Sequence, residues 1–147
     1  MADEKPDLKI LRIGVVGYVP PSKFNVRTAL KMIRDSYNQL DELYKEIPKE
    51  VVSGWINAGI PKIAYREAVR RGWKSKGIAH MKVNGLELFP VDEAILYGPK
   101  KGDESQTFVN SIDVLVKIGG GAQPAQEEFM MRRRDKLVLH YDLPLLE

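Results

Sequence analysis

The stretch DVLVKIGGGAQPAQE, residues 113–127, decides the fold. Its first six residues, Asp113–Ile118, form a short run that is mostly apolar and rich in valine, which is typical of a strand buried on both faces of a parallel sheet. Gly119–Gly121 then ends the strand in a turn, and the segment Ala125–Arg133 has a helical composition. A buried strand that passes through a glycine turn into a helix is the repeating unit of an α/β fold.

The same order recurs along the rest of the chain. Apolar, β-branched runs bounded by glycine, proline or polar residues predict further strands, the weakest of them at 76–80. We predict strands at residues 10–16, 50–54, 76–80, 113–118 and 136–140.

Helices are predicted between these strands. Ser22 is the expected N-cap of a long first helix that ends before Pro48, and Pro61 is expected in the first turn of a second helix that Gly72 caps. Two shorter helices are predicted at 104–111 and 125–133. The apolar faces of the first two helices are predicted to be Val26, Leu30, Ile33, Tyr37, Leu40 and Tyr44 in the first, and Ile63, Ala64, Ala68 and Val69 in the second.

Strands that alternate with helices predict one α/β domain, a doubly wound Rossmann-like fold with a mostly parallel sheet of about five strands. The polar residues 1–7, which include Pro6, are expected to form a disordered lead-in to a single domain at 8–147. Residues 81–102 follow no steady period, so we predict a long functional loop with short strands or turns there.

Composition narrows the classes of function. The 147 residues include no cysteine, which excludes disulfides and thiolate zinc sites, and we expect neither a metal nor a resident cofactor. The first apolar run is too short to span a membrane, so we expect a cytoplasmic protein without a membrane partner.

Charge and histidine content give no sign of a nucleic-acid or metal site. The 23 Lys and Arg residues are nearly matched by 20 Asp and Glu residues, so a nucleic-acid partner is not expected. Arg132–Arg134 is interpreted as the solvated end of a helix. His80 and His140 show no nearby carboxylate pattern and are interpreted as ordinary core or edge residues.

In a parallel sheet, the turns that follow the strands all emerge at the carboxyl edge, where they are expected to meet in one crevice. Glycine lets the backbone and its amide groups approach a ligand, and the N-terminus of the following helix favours an anion such as phosphate. The turns predict a ligand site built from Gly17, Tyr18, Ser53, Gly54, Trp55, Gly119, Gly120, Gly121, Ala122, Gln123, Pro124 and Glu127.

Two of these turns resemble a known superfamily of nucleotide-binding proteins. VVSGWINAGI at 51–60, with Ala64 and Ala68 after it, resembles the "VVSGGARGID…A…A" stretch of DNA-processing protein A. DVLVKIGGGAQPAQE at 113–127 resembles the "DAFIALPGGxGTxxE" stretch of Lonely Guy phosphoribohydrolases. The chain therefore resembles the SMF/DprA–Lonely Guy (SLOG) superfamily of Rossmann-like proteins, as a divergent member.

The resemblance implies that Glu127 occupies the place of the family glutamate. Gly119, Gln123 and Pro124 replace the family's proline, later glycine and phosphate-facing threonine. The Arg-Lys pair of the Lonely Guy enzymes falls on Glu104 and Ser105 here, so the cationic pair is absent. Its loss weakens both phosphate neutralisation and charge stabilisation during N-glycosidic cleavage.

Three classes of function follow from these residues. The first is a sensor, carrier or sequestering protein that binds a nucleotide or nucleotide-derived small molecule, with Trp55 either stacked on a base or packed in the core. The second is a nucleotide N-glycosidase or deoxyribosyltransferase-like enzyme with Glu127 as its catalytic acid–base group. The third is a single-stranded DNA binder. Such a protein is expected to have a basic stripe with interleaved aromatic residues, and this sequence lacks one. Family members are often dimers, so the resemblance also implies a candidate homo-oligomer.

Overall fold

A computed structural model describes residues 8–80, 87–97 and 103–146, and these residues form a single α/β domain. The predicted lead-in at 1–7 and much of the predicted loop at 81–102 lie outside the described residues. The elements are β1 (Leu11–Gly17), α1 (Val26–Leu43), β2 (Lys49–Gly54), α2 (Gly59–Arg70), β3 (Lys74–His80), β4 (Glu93–Tyr97), α3 (Asp103–Asn110), β5 (Val114–Ile118), α4 (Ala122–Arg133) and β6 (Val138–Tyr141).

The strands form one sheet in the order β4-β3-β2-β1-β5-β6, and all five strand pairings are parallel. The chain builds outward from β1 to β4 and then returns to place β5 on the other side of β1. The strand order therefore reverses between β1 and β5, the position at which open α/β sheets form their ligand crevice. The predicted doubly wound Rossmann-like fold is confirmed.

Alternating side chains of the central strands pack into two separate cores. Ile13 and Val116 belong to the core beneath α1 and α2, whereas Val52 and Leu115 belong to the core beneath α3 and α4. The period-two alternation of a strand sends these neighbours to opposite faces. Because helices cover both faces, the central strands β1 and β5 could be recognised as mostly apolar runs.

The sheet has six strands, one more than the predicted number of about five. The additional strand is β4 (Glu93–Tyr97), at the edge of the sheet beside β3, within the segment predicted as a long loop with short strands or turns. Glu93, Ala94 and Leu96 are exposed, so β4 lacks the buried run that marks a central strand. None of the helices in the described ranges is long and apolar enough to cross a membrane.

The N-terminus of α1 differs from the prediction. Asn25, not Ser22, is the N-cap, and its side chain accepts a hydrogen bond from the Thr28 amide at 2.9 Å. Val26 is the first helical residue and is 61% exposed, so it does not belong to the apolar face. That face does include Ile33, Tyr37 and Leu40, as predicted.

Helix α2 follows its prediction at both ends but not along its whole face. Pro61 lies in the first turn, and Gly72 follows the C-cap with φ +74°, a conformation that favours glycine. Val69, predicted to be buried, is 61% exposed. Glu67, a charged residue that the apolar pattern could not identify, is buried on this helix instead.

Glu67 joins α1 to α2 through a buried ion-pair cluster. Its side chain is 2% exposed and accepts hydrogen bonds from Arg34 of α1 and from Arg70 and Arg71. Burial alone would raise the pKa of Glu67, but the bonds from Arg70, Arg71 and Arg34 outweigh it and lower the pKa from 4.5 to about 2. The charged form is therefore the one that stabilises the fold.

We expect Glu67→Gln to lower the free energy of unfolding by about 3 kcal/mol near neutral pH, because a shift of this size has that value by linkage. A lowered pKa contributes stability above pH 4.5 and loses it as the pH falls through about 2. The difference between wild type and variant should therefore disappear across that interval. Urea unfolding at a series of pH values measures it.

Glu42→Gln is the matched control. Glu42 lies on α1 and forms an exposed ion pair with Lys45, just beyond the end of that helix. Its removal should change the unfolding free energy by less than about 0.5 kcal/mol. A Glu67→Gln variant as stable as this control would show that the cluster does not hold α1 and α2 together.

Candidate functional site

A cavity of about 410 Å³ opens at the carboxyl edge of the sheet, beside the point where the strand order reverses. Nine of the twelve residues predicted for the site line it: Gly17, Tyr18, Ser53, Gly54, Gly121, Ala122, Gln123, Pro124 and Glu127. Trp55, Gly119 and Gly120 do not. The structure thus brings the ends of β1 and β2 and the first turn of α4 together around one space.

Several of the predicted glycines are required by packing within the protein. A Cβ atom on Gly17 would lie 2.3 Å from the Ile118 carbonyl oxygen, and one on Gly119 would lie 2.4 Å from the Tyr18 ring. Gly119 and Gly120 have φ values of +60° and +108°, in the region that glycine adopts readily. Gly119 and Gly120 therefore shape the turn behind the cavity wall.

Gly54 and Gly121 are different, because packing within the described residues does not require glycine at either position. A Cβ atom on Gly121 would meet no heavy atom within 4 Å, and one on Gly54 would meet only Pro61, at 3.8 Å. Neither residue has a positive φ. Both line the cavity, so their missing side chains enlarge the space available there.

Helix α4 begins at the cavity, three residues earlier than predicted. Its N-cap is Gly121 and no side chain caps it, whereas Asn25 caps α1 and the Tyr18 carbonyl accepts a hydrogen bond from Ile60 in the first turn of α2. Pro124 lies in the first turn of α4 and has no N–H group to offer. The Ala122 and Gln123 amides are thus the helix-end donors that line the cavity, and the helix dipole favours an anion beside them.

Glu127 lies one turn further along α4, is 4% exposed and lines the cavity. It is the one charged side chain among the described lining residues. Ser105, where the Lonely Guy enzymes have a cation, is a buried serine of α3 and does not line the cavity. In the described part of the site, an anionic ligand would therefore be held by backbone amides without a basic side chain.

Ser53 and Tyr18, at the turns, make contacts within the protein. Ser53 donates its hydroxyl hydrogen to the Val15 carbonyl at 2.6 Å, which leaves an oxygen lone pair as its contribution to the cavity. The Tyr18 ring stacks against Phe24 with 6.2 Å between centroids. These contacts hold the cavity wall in place.

Trp55 packs against the protein and does not line the cavity. Its indole N–H donates to the Phe89 carbonyl at 2.9 Å, and its side chain covers Gly77 of β3 so closely that a Cβ there would lie 2.7 Å away. The bond ties residues 87–89 to the end of β2. Stacking of Trp55 on a base in this cavity is not supported.

Sequence reasoning missed half of the cavity wall. Four of the missed residues lie in the loop after Tyr18: Val19, Pro20, Pro21 and Ser22. The other five lie on helices and strands: Val15, Val16, Pro61, Ile78 and Phe108. The peptide bond between Pro20 and Pro21 is cis. The Pro-Pro pair after a strand end was a signal that this loop has a fixed shape, whereas Ile78 and Phe108 reach the cavity only through the tertiary fold.

His140 lies on the edge strand β6, as the interpretation of it as a core or edge residue allows, but it has carboxylate neighbours that the sequence pattern did not indicate. Its Nδ1 lies 2.7 Å from Glu128 Oε1 and its Nε2 lies 2.9 Å from Asp142 Oδ1. The hydrogen bonds to Asp142 and Glu128 raise its pKa above 6.5. Glu128 is twelve residues before His140 and Asp142 two residues after it, and His140 connects α4 to the end of β6.

A second cavity, of about 640 Å³, lies at the opposite edge of the sheet near Lys49 and Trp73. The buried Lys49 ammonium donates to the Tyr44 and Ile47 carbonyls at 2.8 Å each and pairs with Asp41 at 3.0 Å. Its three N–H bonds are therefore committed within the protein.

Comparison with known proteins supports the fold. No protein-family model and no curated protein matches the sequence. The molybdenum cofactor carrier protein of Chlamydomonas reinhardtii has a similar structure, with a TM-score of 0.68 and 21% identity over 88% of this chain and 75% of that one. The molybdenum cofactor binding protein of Rippkaea orientalis gives a TM-score of 0.70 and 19% identity over 91% of this chain and 77% of that one. At these identities the likeness establishes a Rossmann-like fold that is shared with small-molecule-binding proteins.

Proposed function

We propose that the protein binds a nucleotide or nucleotide-derived small molecule in the carboxyl-edge cavity, as a carrier, sensor or sequestering protein. The observation that carries the proposal is the pair Gly54 and Gly121. Both line the cavity, and packing within the described residues requires glycine at neither position. A ligand that approaches the backbone at both turns gives these glycines a purpose.

The chemistry of the cavity supports a ligand with three parts. Apolar walls from Val16, Ile78 and Phe108 suit a flat ring system. The uncapped start of α4 suits one anionic group such as a phosphate, and the Glu127 carboxylate suits hydroxyl or amino donors. A nucleoside monophosphate has all three parts. Multiple phosphates would call for cations that the described lining residues do not supply.

The same features favour capture over turnover. Cleavage of an N-glycosidic bond requires stabilisation of developing charge as well as an acid–base group. Glu127 could serve as the acid–base group, but the described lining residues include no lysine or arginine. A carboxylate that accepts hydrogen bonds from sugar hydroxyls does not need a lysine or arginine beside it, so the ligand can be bound without being cleaved.

The names of the two structural neighbours add one specific candidate. Both are described as proteins that carry or bind the molybdenum cofactor. We include this cofactor, beside nucleotides, among the ligands to be tested for this chain.

The cavity assignment predicts that Gly121→Val abolishes binding without unfolding the protein. The new Cβ would lie in open space, with no heavy atom of a described residue within 4 Å, so among those residues it would compete only with a ligand. We expect affinity for the preferred nucleotide to fall more than about tenfold, or 1.4 kcal/mol. Titration calorimetry measures the affinity, and thermal unfolding checks the fold.

Gln126→Val is the matched control, since Gln126 is an exposed residue of α4 outside the cavity lining. It adds the same side chain to the same helix and should leave affinity unchanged. Equal affinity in the Gly121→Val and Gln126→Val variants would exclude this cavity as the site.

The capture hypothesis predicts that a bound ligand is recovered chemically intact. We would incubate the protein with nucleoside monophosphates, deoxynucleosides, nicotinamide-derived and cyclic nucleotides and the molybdenum cofactor, and identify the bound species by mass spectrometry after denaturation. Glu127→Gln should weaken binding by about 1–3 kcal/mol, the cost of spoiling a hydrogen bond to a charged group. Release of free base at a rate that depends on Glu127 would instead establish the N-glycosidase alternative.

A further inference from the structure

Helices α1 and α2 together present a strongly basic surface that is not apparent from the composition. Arg27, Lys31 and Arg34 follow one another at helical spacing on the side of α1 that faces α2. Lys62, Arg66 and Arg70 repeat the pattern along α2. We call these six residues, together with Arg71, the basic ridge.

The ridge is held in one piece by contacts between the two helices. Arg34 of α1 reaches Glu67 of α2, Arg71 donates to Asn38 at 2.8 Å, and the Tyr37 hydroxyl donates to the Ala64 carbonyl at 3.0 Å. Packed helices lie about 8–10 Å apart, and the shared Glu67 brings Arg34 of α1 together with Arg70 and Arg71 of α2 at one end of the ridge.

Positive charge on the ridge exceeds what its own acid can neutralise. Glu67 is shared by Arg34, Arg70 and Arg71, which leaves a surplus of positive charge in that cluster. Arg27, Lys31, Lys62 and Arg66 form no ion pair with any described residue.

The acids of α1 lie elsewhere on the helix or already have a partner. Asp35 accepts hydrogen bonds from Tyr141 and Gln39 on the side towards β6, and Asp41 and Glu42 pair with Lys49 and Lys45. The ridge thus keeps its positive charge at the surface.

We propose that the basic ridge binds the phosphate backbone of a nucleic-acid duplex. Each row is about 10–12 Å long at 1.5 Å per residue, and a duplex carries one charge per about 1.7 Å of its axis, so the ridge meets about six phosphates. Five of the seven cations are arginine, whose guanidinium group suits bidentate contact with phosphate.

The alternatives to a duplex fit the ridge less well. A single strand is usually held by exposed aromatic rings, but the tyrosines of α1 and α2, Tyr37 and Tyr65, are buried. A protein interface usually has an apolar or aromatic centre, whereas the large exposed apolar residues of the two helices, Val26, Leu43 and Val69, are scattered. A surface of cations without such groups matches backbone binding that does not depend on sequence.

The test measures fluorescence anisotropy of a labelled, mixed-sequence DNA duplex titrated with the full chain at several salt concentrations. Phosphate contacts by the four unpaired cations alone predict that affinity falls at least about a hundredfold between about 50 and 200 mM salt. The triple variant Arg27→Gln/Lys31→Gln/Arg66→Gln removes cations without an ion pair, so its fold should be preserved. It should reduce the magnitude of the logarithmic salt slope by about 3 and weaken binding at low salt more than tenfold.

The triple variant Arg132→Gln/Arg133→Gln/Arg134→Gln is the control, since it removes the same charge from the exposed end of α4. It should retain most of the affinity. Equal weakening by the two variants, or no duplex binding at low salt, would overturn the proposal. Tighter binding to the same sequence as a single strand, or more effective competition by polyglutamate than by unlabelled duplex, would also overturn it, by assigning the ridge to another partner.

Discussion

The close approach of three backbone segments at the end of β1 is the constraint on which the site depends. At Gly17 the strand passes so near to Ile118 of β5 and Ile60 of α2 that no side chain would fit. Gly59 approaches the Tyr18 carbonyl in the same way, because a Cβ there would lie 2.5 Å from it. This packing fixes the loop after β1 against the starts of α2 and α4, and the cavity is the space that remains beyond it.

Much of the fold could be predicted because its central strands are buried on both faces. β1 and β5 are mostly apolar, β1 ends at Gly17 and Gly119 follows β5, and the order of strands and helices then favours a doubly wound sheet. The position of β4 within the predicted loop could not be given, because an exposed edge strand needs no apolar run. Val26 and Val69 were wrongly predicted to be buried, because apolar spacing does not show which face of a helix meets the sheet.

The site was predictable where it depends on the ends of strands and not where it depends on tertiary packing. Gly17, Gly54 and Gly121 follow from the rule that the turns of a parallel sheet meet at one edge. Ile78 and Phe108 reach the cavity from other elements, and their positions depend on how α3 packs on the sheet. Trp55 was ambiguous because its partner, the Phe89 carbonyl, lies in a segment without a periodic pattern.

The measurement that tests the account most directly is a crystal structure of the protein with the most tightly bound member of the nucleotide series. We expect the ligand in the carboxyl-edge cavity, with an anionic group within hydrogen-bond distance of the Ala122 and Gln123 amides and a donor group on Glu127. A ligand bound in the amino-edge cavity beside Lys49, or on the outer surface of the helices, would contradict the account.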